Sequence, residues 1–320
     1  MKPSILVTRK LPEPALQKLK ANCQADINYE DIPLSKEELI RRVADKDGLA
    51  TLLTDKIDRH IIDAGRKLKV ISNVAVGYDN IDHRYARQKN IYVTNTPEVL
   101  TDATADLTWA LILSVVRSIV PADRFTRQGK FKEWQFFLFL GSDLKGKRLG
   151  IIGLGRIGKG VARRASGFEM EVVYYNVRRA NRELEESLGV IYLPFDQLLK
   201  TSDIITLHLP LTPQTHHLID QREFQLMKPG SYLINASRGP VVNEKALVEA
   251  LKSKRIAGAG LDVYENEPHI EPELLAMDNV VLLPHIGSAA LETRTKMAMI
   301  AVENVLQGVY GKKPTNSVDE

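Results

Sequence analysis

Polar side chains follow three apolar stretches in the second half of the chain, at points where strands are predicted to end. These polar segments are Asn235–Gly239, Asp262–Pro268 and Pro284–Ser288, and they contain Arg238, Glu267 and His285. Parallel strands of an open α/β sheet bind ligands beyond their carboxyl ends, so we expect the three side chains to share one edge. Arginine can hold a carboxylate or polarise a ketone, histidine can protonate a developing alkoxide, and glutamate can keep that imidazole protonated and oriented. The set suits hydride transfer to a 2-oxo acid.

One of the seven histidines combines a strand end with a constrained turn. His285 lies between Pro284 and Gly287, and we predict that it is the acid/base. His208 also lies at a strand end, whereas surface positions are predicted for His60, His83 and His269. A cofactor contact and a surface position remain equally open for His216 and His217. No His/Cys pair has the spacing of zinc ligands, so no metal site is predicted. We interpret the lone Cys23 as a small buried hydrophobic residue and not as a catalytic thiol.

A glycine-rich turn lies between a predicted strand and a predicted helix. Its sequence is Gly153-Leu154-Gly155-Arg156-Ile157-Gly158, after the strand 148–153 and before helical character from Gly160 to Ser166. In this context the pattern predicts a dinucleotide site: the first glycine makes the turn, the second admits the pyrophosphate and the third lets helix and strand pack closely. A glycine turn without a ligand is the alternative.

The residues after the second strand of this region predict the cofactor. A site selective for NAD normally has Asp or Glu here, to accept a hydrogen bond from the ribose 2′-OH. This chain has Asn176, Arg178 and Arg179, which suit the negative charge of a 2′-phosphate. We therefore predict NADPH, with NADH as the weaker alternative; a merely solvated basic turn is the other interpretation.

Short β-branched runs alternate with amphipathic stretches almost throughout, which is typical of an α/β fold. In the first third the predicted strands are Ser4–Thr8, Ala25–Tyr29, Gly48–Leu53, Val70–Val74 and Ile91–Thr94. Helices are predicted there over Pro14–Lys20 and, after the capping box Ser35…Glu38, over Lys36–Ala44. Six further strands are predicted over Arg148–Gly153, Glu171–Tyr175, Asp203–Leu207, Tyr232–Asn235, Ala257–Leu261 and Val280–Leu283.

Two long amphipathic helices separate and close these regions. One is predicted from about Asp102 to Val120, stopped by Pro121, and the other from Ser288 to about Leu306. Since the last helix cannot form a domain alone, we expect it to pack on the first third. The prediction is a two-domain α/β protein: a doubly wound Rossmann-type dinucleotide-binding domain at 101–286, inserted into a discontinuous, flavodoxin-like substrate-binding domain of residues 1–100 and 287–320. The substrate is expected to bind between the two domains.

Composition limits the classes of partner. The chain has 320 residues, 44% hydrophobic and 26% charged, with a net charge of +4 and no basic stripe. These values are ordinary for a globular enzyme and give little support to nucleic-acid binding. The apolar runs are too short or interrupted for a signal peptide or a membrane span, so a cytoplasmic protein is expected.

Three motifs resemble one known family over nearly the whole chain. They are Asn73–Asp82, the glycine turn Gly153–Gly158 and Pro284–Gly287, and they resemble the D-isomer-specific 2-hydroxyacid dehydrogenases, in particular the glyoxylate/hydroxypyruvate reductase branch. The resemblance implies that Arg238, Glu267 and His285 are the catalytic residues. It also implies that the substrate is bound by Arg238, His285, the backbone N–H groups of Val76 and Gly77, and nearby Leu53.

The cofactor is expected to contact residues at several strand ends and one on the interdomain helix. They are Thr104, Leu154, Gly155, Arg156, Ile157, Asn176, Arg178, Arg179, Leu209, Pro210, Thr215, Ala236, Ser237, Arg238, Asp262, His285 and Gly287.

The resemblance implies reduction of glyoxylate or hydroxypyruvate to the D-2-hydroxy acid, with alternatives left open. Glu267 argues against a formate dehydrogenase, which has Gln at this place. Relatives often carry Trp where this chain has Leu138, so a 2-ketogluconate reductase is an alternative, as is a nucleotide-sensing, corepressor-like binding module. In the segment Trp134–Leu140, six of seven residues are apolar, which predicts either core packing or a subunit interface. Resemblance to a dimeric family favours a homodimer.

Overall fold

The computed structural model describes residues 2–318 and divides into two compact units. Unit 1 comprises Met1–Leu100 and Ser288–Glu320, and unit 2 comprises Thr101–Gly287. Met1, Asp319 and Glu320, which belong to the predicted substrate domain, lie outside the described residues. The predicted α/β class and the Rossmann-type sheet are confirmed.

Unit 1 is built on a five-stranded parallel sheet with the order β2-β1-β3-β4-β5. Its strands are β1 (Ser4–Val7), β2 (Gln24–Ile27), β3 (Gly48–Thr51), β4 (Val70–Asn73) and β5 (Tyr92–Thr94). Its helices are α1 (Glu13–Asn22), α2 (Lys36–Val43), α3 (Arg59–Ala64), α4 (His83–Gln88) and α13 (Leu291–Val309). The Ser35 hydroxyl accepts the Glu38 N–H at 3.2 Å and thereby caps α2, as half of the predicted capping box requires.

The last helix completes the core of unit 1. A Cβ at Gly308 would lie 2.6 Å from the Val70 side chain, so α13 packs directly on β4. The Ser72 hydroxyl donates to the Ala301 carbonyl at 2.9 Å, which ties the same two elements together. The helix begins at Leu291 and ends at Val309, three residues later at each end than predicted.

Unit 2 contains a seven-stranded parallel sheet with the order β12-β11-β10-β9-β6-β7-β8. Its strands are β6 (Arg148–Ile152), β7 (Glu171–Tyr175), β8 (Val190–Tyr192), β9 (Ile204–Leu207), β10 (Tyr232–Asn235), β11 (Gly258–Leu261) and β12 (Val280–Leu282). Its helices are α5 (Thr101–Val116), α6 (Ile119–Arg127), α7 (Arg156–Ala165), α8 (Arg182–Leu188), α9 (Phe195–Thr201), α10 (Gln221–Leu226), α11 (Glu244–Lys252) and α12 (Pro272–Leu275). The order reverses between β6 and β9, and this switch point is where doubly wound sheets bind nucleotides.

Two predictions for unit 2 were wrong. Strand β8 was not predicted, because its three residues are too few to show a periodicity, so the sheet has seven strands where six were expected. The long helix does not run to Pro121. It ends at Val116, Ser118 takes a left-handed φ of 51°, and Pro121 lies in the first turn of α6, where a missing N–H leaves no hydrogen bond unmade.

Helix α5 packs within unit 2. The buried Trp109 donates its indole N–H to the Val161 carbonyl of α7 at 3.1 Å and stacks on Phe168 with ring centroids 4.3 Å apart. The predicted helix after the glycine turn starts at Arg156, four residues before the predicted start. Within residues 2–318 no single helix is long and apolar enough to cross a membrane, although α5 and α6, bent by 65°, reach that length and composition together.

Candidate active site

The glycine turn joins β6 to α7 at the switch point of the sheet. Gly153 has φ +101°, and a Cβ there would lie 2.4 Å from the His208 carbonyl oxygen at the end of β9. A Cβ on Gly158 would lie 2.2 Å from the Gly153 carbonyl oxygen. Around Gly155, in contrast, a Cβ would meet nothing within 4 Å. The turn therefore keeps an open approach to the N-terminus of α7, whose first N–H groups lack intrahelical acceptors, and this fits a pyrophosphate.

Asn176, just beyond the end of β7, fixes the shape of this turn. Its Oδ1 accepts the Leu154 N–H at 2.8 Å, while the Tyr175 carbonyl accepts the Gly153 N–H at 3.0 Å. The Leu154 N–H is thus used inside the protein, and Leu154 itself is buried. The predicted contact of Leu154 with the cofactor therefore requires atoms other than this N–H.

The two arginines after Asn176 differ in their surroundings. Arg179 forms a two-pronged pair with Glu185, with Nε–Oε1 and Nη2–Oε2 both at 2.8 Å, and it lies over the ring of Tyr192. The Tyr174 hydroxyl also donates to Glu185, at 2.6 Å. The hydrogen bonds from Arg179 and Tyr174 lower the pKa of Glu185 to about 2, and burial with the Glu185 bond raises the pKa of Tyr174 to about 12. Both arginines are exposed, but only the guanidinium of Arg179 is held by Glu185, so Arg178 is the one of the two whose side chain could turn to a 2′-phosphate.

Further predicted cofactor residues lie in the turns after β9 and β10. The Thr215 hydroxyl donates to the Pro210 carbonyl at 2.7 Å, which closes the loop after β9, and Leu209 approaches Gly153. After β10, the Ser237 hydroxyl and N–H both donate to Asn235 Oδ1, at 2.8 and 3.0 Å, beside the buried Ala236. These turns lie next to the glycine turn, because β6, β9 and β10 are neighbours.

His285 and Glu267 form a direct pair. His285 Nδ1 lies 2.9 Å from Glu267 Oε2, and Glu267 Oε1 accepts the Tyr264 N–H at 3.0 Å. Burial alone would raise the pKa of Glu267, but the hydrogen bond from His285 and the charges of His285 and Arg238 outweigh it and lower that pKa. The carboxylate therefore stays ionised and fixes the imidazole through Nδ1, which leaves Nε2 for proton transfer.

Asp262 holds the turn that carries His285. Its two carboxylate oxygens accept the N–H groups of Ile286 and Gly287, both at 2.7 Å, and this supports a left-handed φ of 54° at His285. Burial raises the pKa of Asp262. The Thr104 hydroxyl donates to the Gly287 carbonyl at 3.2 Å, so α5 joins the same turn. Asp262 is predicted as a cofactor residue. In the structure its carboxylate binds the turn that carries His285.

Arg238 lies in the turn after β10, close to the same pair. Its Nη1 donates to the Ser237 carbonyl at 2.9 Å, and Asn235 Nδ2 donates to the Arg238 carbonyl at 2.9 Å. Its charge contributes to the lowered pKa of Glu267. The three predicted catalytic residues thus come from the ends of three adjacent strands, β10, β11 and β12.

A second acidic cluster, formed by Glu244 and Glu265, was not predicted from the sequence and connects the turn after β11 to α11. Buried Glu244, at the start of α11, accepts the Glu265 N–H at 2.6 Å, and the Glu265 carboxylate accepts the Glu244 N–H at 3.1 Å. Glu265 Oε1 also lies 2.7 Å from His217 Nε2. This contact gives His217 a structural partner, while His216 is exposed. The only sequence signal was the position of Glu265 two residues before Glu267.

In unit 1 the remaining predicted residues lie in turns after strands. Leu53 follows β3, and Val76 and Gly77 follow β4. All three are half-buried.

Comparison with known proteins gives a consistent result. Residues 109–287 match the model of the D-isomer-specific 2-hydroxyacid dehydrogenase NAD-binding domain. The chain is 48% identical to a glyoxylate reductase of Thermococcus litoralis, over 100% of this chain and 98% of that protein, and 48% identical to one of Korarchaeum cryptofilum, over 100% and 97%.

Solved structures agree with this result. A Thermus thermophilus protein is similar with a TM-score of 0.93 and 43% identity, over 98% of this chain and 99% of that one. An NADPH-dependent glyoxylate/hydroxypyruvate reductase of Sinorhizobium meliloti, in complex with NADP and malonate, has a TM-score of 0.88 and 33% identity, over 100% and 97%. With the strand-end site described above, these similarities show that the chain belongs to the D-isomer-specific 2-hydroxyacid dehydrogenase family, in its glyoxylate reductase branch.

Proposed function

We propose that the protein reduces a small 2-oxo acid, glyoxylate or hydroxypyruvate, to the D-2-hydroxy acid with NADPH. The observation that carries the proposal is the His285–Glu267 pair at 2.9 Å with Arg238 beside it. Relatives named glyoxylate reductase that match the full chain support the choice of substrate.

Each catalytic residue has one task in this proposal. Arg238 binds the substrate and polarises its ketone, since a planar guanidinium can make two parallel hydrogen bonds to oxygen atoms. His285 donates the proton on Nε2 to the developing alkoxide, and Glu267 keeps the imidazolium charged and oriented. Asp262 holds the turn that sets the direction of the ring. The amides of Val76 and Gly77 bind the substrate carboxylate.

The nicotinamide nucleotide would be held by the glycine turn and the neighbouring strand ends. The open space at Gly155 and the N-terminus of α7 fit its pyrophosphate. When bound, it supplies the hydride that reduces the carbonyl carbon. Thr104, Ile157, Leu209, Pro210, Thr215, Ala236, Ser237 and Gly287 are the further residues that we assign to its site.

Preference for NADPH rests on Arg178 and Asn176. Neither carries the negative charge that repels a 2′-phosphate, and Arg178 is exposed beyond the end of β7. The guanidinium of Arg179 already makes two hydrogen bonds to Glu185, so we do not assign the 2′-phosphate to it. The Sinorhizobium relative, which is in complex with NADP, supports this choice.

The test compares kcat/KM for NADPH and NADH with glyoxylate, hydroxypyruvate and 2-ketogluconate. We expect NADPH to be preferred, and Arg178→Ala to lower kcat/KM for NADPH about tenfold while leaving NADH unchanged, because one charge-assisted hydrogen bond is lost. Arg182→Ala, a change at an exposed arginine of α8, is the matched control. A preference for NADH would refute the cofactor assignment.

Reduction of 2-ketogluconate is the second candidate. Leu138 is half-buried where relatives often place a larger tryptophan, and a smaller side chain would leave more room for a longer acid. If kcat/KM for 2-ketogluconate exceeds that for glyoxylate and hydroxypyruvate, this candidate replaces the first. If no 2-oxo acid is turned over, both enzymatic proposals fail.

We also propose that the protein is a homodimer that uses the aromatic segment 131–140. Phe131, Trp134, Phe136, Phe137 and Leu140 are exposed by 55% to 78%, so core packing does not account for them. Such a concentration of exposed apolar side chains is typical of an interface.

A further inference from the structure

The turn that follows β4 has carbonyl groups with partners and N–H groups without them. Among residues 2–318, the N–H groups of Val76 and Gly77 have no hydrogen-bond acceptor. The carbonyls of Ala75, Val76 and Gly77 each accept a hydrogen bond. The N–H groups of Val76 and Gly77 are therefore left for a ligand, while the three carbonyls are bound within the protein.

Two asparagine side chains and one backbone amide hold the carbonyls. The Thr96 N–H donates to the Ala75 carbonyl at 2.8 Å, and Asn95 Nδ2 donates to the Val76 carbonyl at 2.8 Å. Asn73 Nδ2 donates to the Gly77 carbonyl, also at 2.8 Å. Asn73 ends β4 and Asn95 follows β5, so the donors stand at the ends of two adjacent parallel strands.

Peptide geometry converts these bonds into an orientation of the N–H groups. In a trans peptide the carbonyl of one residue and the N–H of the next are coplanar and point in opposite directions. A held Ala75 carbonyl therefore directs the Val76 N–H away from the 95–96 segment, and a held Val76 carbonyl does the same for the Gly77 N–H. Two neighbouring N–H groups that face outward from one turn form an anion-binding concavity.

The asparagines are themselves held in place. Asn73 Nδ2 also donates to Asn80 Oδ1 at 3.0 Å, and Asn80 Nδ2 donates to the carbonyls of Leu52 and Asp55 at 3.0 and 2.9 Å. The buried Asn304 of α13 donates to the Asn95 carbonyl at 3.3 Å. Rotation of the Asn73 amide would break its bonds to the Gly77 carbonyl and to Asn80, and rotation of the Asn95 amide would break its bond to the Val76 carbonyl.

We infer that Asn95 is a positioning residue: through the Val76 carbonyl it orients the Gly77 amide toward the carboxylate of the substrate, beside the Val76 amide that the Thr96 N–H directs. Asn73 holds the Gly77 carbonyl and so fixes the end of the same turn. The inference rests on the proposed function and deepens it, because it says how the two amides would be directed at the substrate carboxylate. Neither side chain needs to touch the substrate.

Asn95→Asp is the direct test, because aspartate has nearly the same shape but cannot donate to the Val76 carbonyl. We expect kcat/KM for glyoxylate to fall about 10- to 100-fold, mainly through KM, since hydrogen bonds to a charged group are weakened. For methylglyoxal, a 2-oxo aldehyde without a carboxylate, kcat/KM should change less than about threefold. The dissociation constant for NADPH should stay unchanged. Asn22→Asp, the same change at an exposed residue of α1, is the control.

A second measurement does not depend on the fold of a variant or on turnover. The wild-type protein labelled with [15N]glycine is titrated with oxamate, a carboxylate analogue of a 2-oxo acid, in the presence of NADP. We expect the Gly77 amide resonance to shift, and the shift to be lost in Asn95→Asp.

The outcomes separate the two proposals. Equal losses for glyoxylate and methylglyoxal, or a Gly77 resonance that oxamate leaves unchanged, would overturn the positioning role while wild-type turnover of glyoxylate still supports the proposed function. If the wild type turns over neither glyoxylate nor hydroxypyruvate, the proposed function is overturned, and the oxamate titration would still decide whether the turn binds carboxylates.

Discussion

At the scale of single residues, the proposed proton donor has one nitrogen bound and one available. We expect His285→Ala to lower kcat about 10²- to 10⁴-fold, since that is the usual contribution of general acid catalysis. The dissociation constant for NADPH should change little. His60→Ala, at an exposed histidine of α3, is the control for steady-state assays. An unimpaired His285→Ala enzyme would refute the assignment.

In the proposed mechanism, Glu267 sets the pH range of the reaction through its bond to His285. The lowered pKa of Glu267 keeps its carboxylate ionised to lower pH than an ordinary glutamate, so its contribution is lost only on strong acidification. In Glu267→Gln the imidazolium loses its charged partner, and the kcat/KM profile should move to lower pH by about 1 unit. A profile measured from pH 5 to 10 checks this, with Glu273→Gln as an exposed control. A profile in the same place as that of the wild type would contradict the role of Glu267.

Much of the site could be predicted at this scale, because His285, Glu267 and Arg238 each follow an apolar strand in a recognisable motif. The pairing of Arg179 with Glu185 could not be predicted. It depends on the approach of α8 to Tyr174, and a sequence does not show how a helix is rotated against its sheet. The contact of Asn95 with the Val76 carbonyl was also missed, because it joins the ends of two strands and a sequence does not show their register.

At the scale of elements, the close packing of α7 on the glycine turn leaves no room for a side chain at Gly158. A Cβ at Gly158 would lie 2.2 Å from the Gly153 carbonyl oxygen, so α7 would have to shift. We expect Gly158→Ala to destabilise the protein by about 1–3 kcal/mol, the usual cost of overpacking, and to weaken NADPH binding. Thermal unfolding and a fluorescence titration with NADPH measure the two effects.

Gly167→Ala, in the turn just after α7, is the control, because a Cβ there would meet nothing within 4 Å. Its effect on stability should stay within about 0.5 kcal/mol. Equal behaviour of the two variants would show that close packing of α7 is not needed.

Element boundaries were predicted well where local chemistry sets them. Glu171–Tyr175 and Tyr232–Asn235 coincide with β7 and β10 because buried β-branched and aromatic residues fill them. Near Pro121 the predicted helix end was wrong, because a proline can stand at the end of one helix or in the first turn of the next. The left-handed φ of Ser118 marks the actual break, and Pro121 belongs to α6.

At the scale of the whole molecule, the exposed aromatic segment predicts association. Light scattering should give twice the chain mass of 35.9 kDa for the wild type. Phe137→Ser, which removes a ring exposed by 78%, should shift the protein toward the monomer. Val177→Ser removes an apolar side chain that is exposed by 92% and lies outside segment 131–140, so it is the control. A wild type that is monomeric at micromolar concentration would refute the dimer.

The half-buried His208 predicts how folding stability depends on pH. Burial lowers its pKa to about 3, and its Nδ1 has no hydrogen-bond partner among the described residues. The unfolded chain takes up a proton below about pH 6.5, while the folded protein does not until about pH 3, so acidification over this range favours unfolding. This one group contributes a slope of up to about 1.4 kcal/mol per pH unit.

Urea unfolding between pH 5 and 8 measures this slope. In His208→Gln the loss of stability on acidification should be smaller, and in His216→Gln, at an exposed histidine, it should equal that of the wild type. An unchanged slope in His208→Gln would contradict the assignment.

The hydrogen bond between Thr104 and Gly287 bears on protein engineering with this chain. It brings together the first helix and the last residue of unit 2, so the inserted polypeptide begins and ends at one place. A segment with adjoining ends can be cut out, joined into a ring, reopened elsewhere or transplanted into another host with little disturbance of its fold. Residues 101–287 thus carry the glycine turn, Arg238, Glu267 and His285 within one segment whose two ends adjoin.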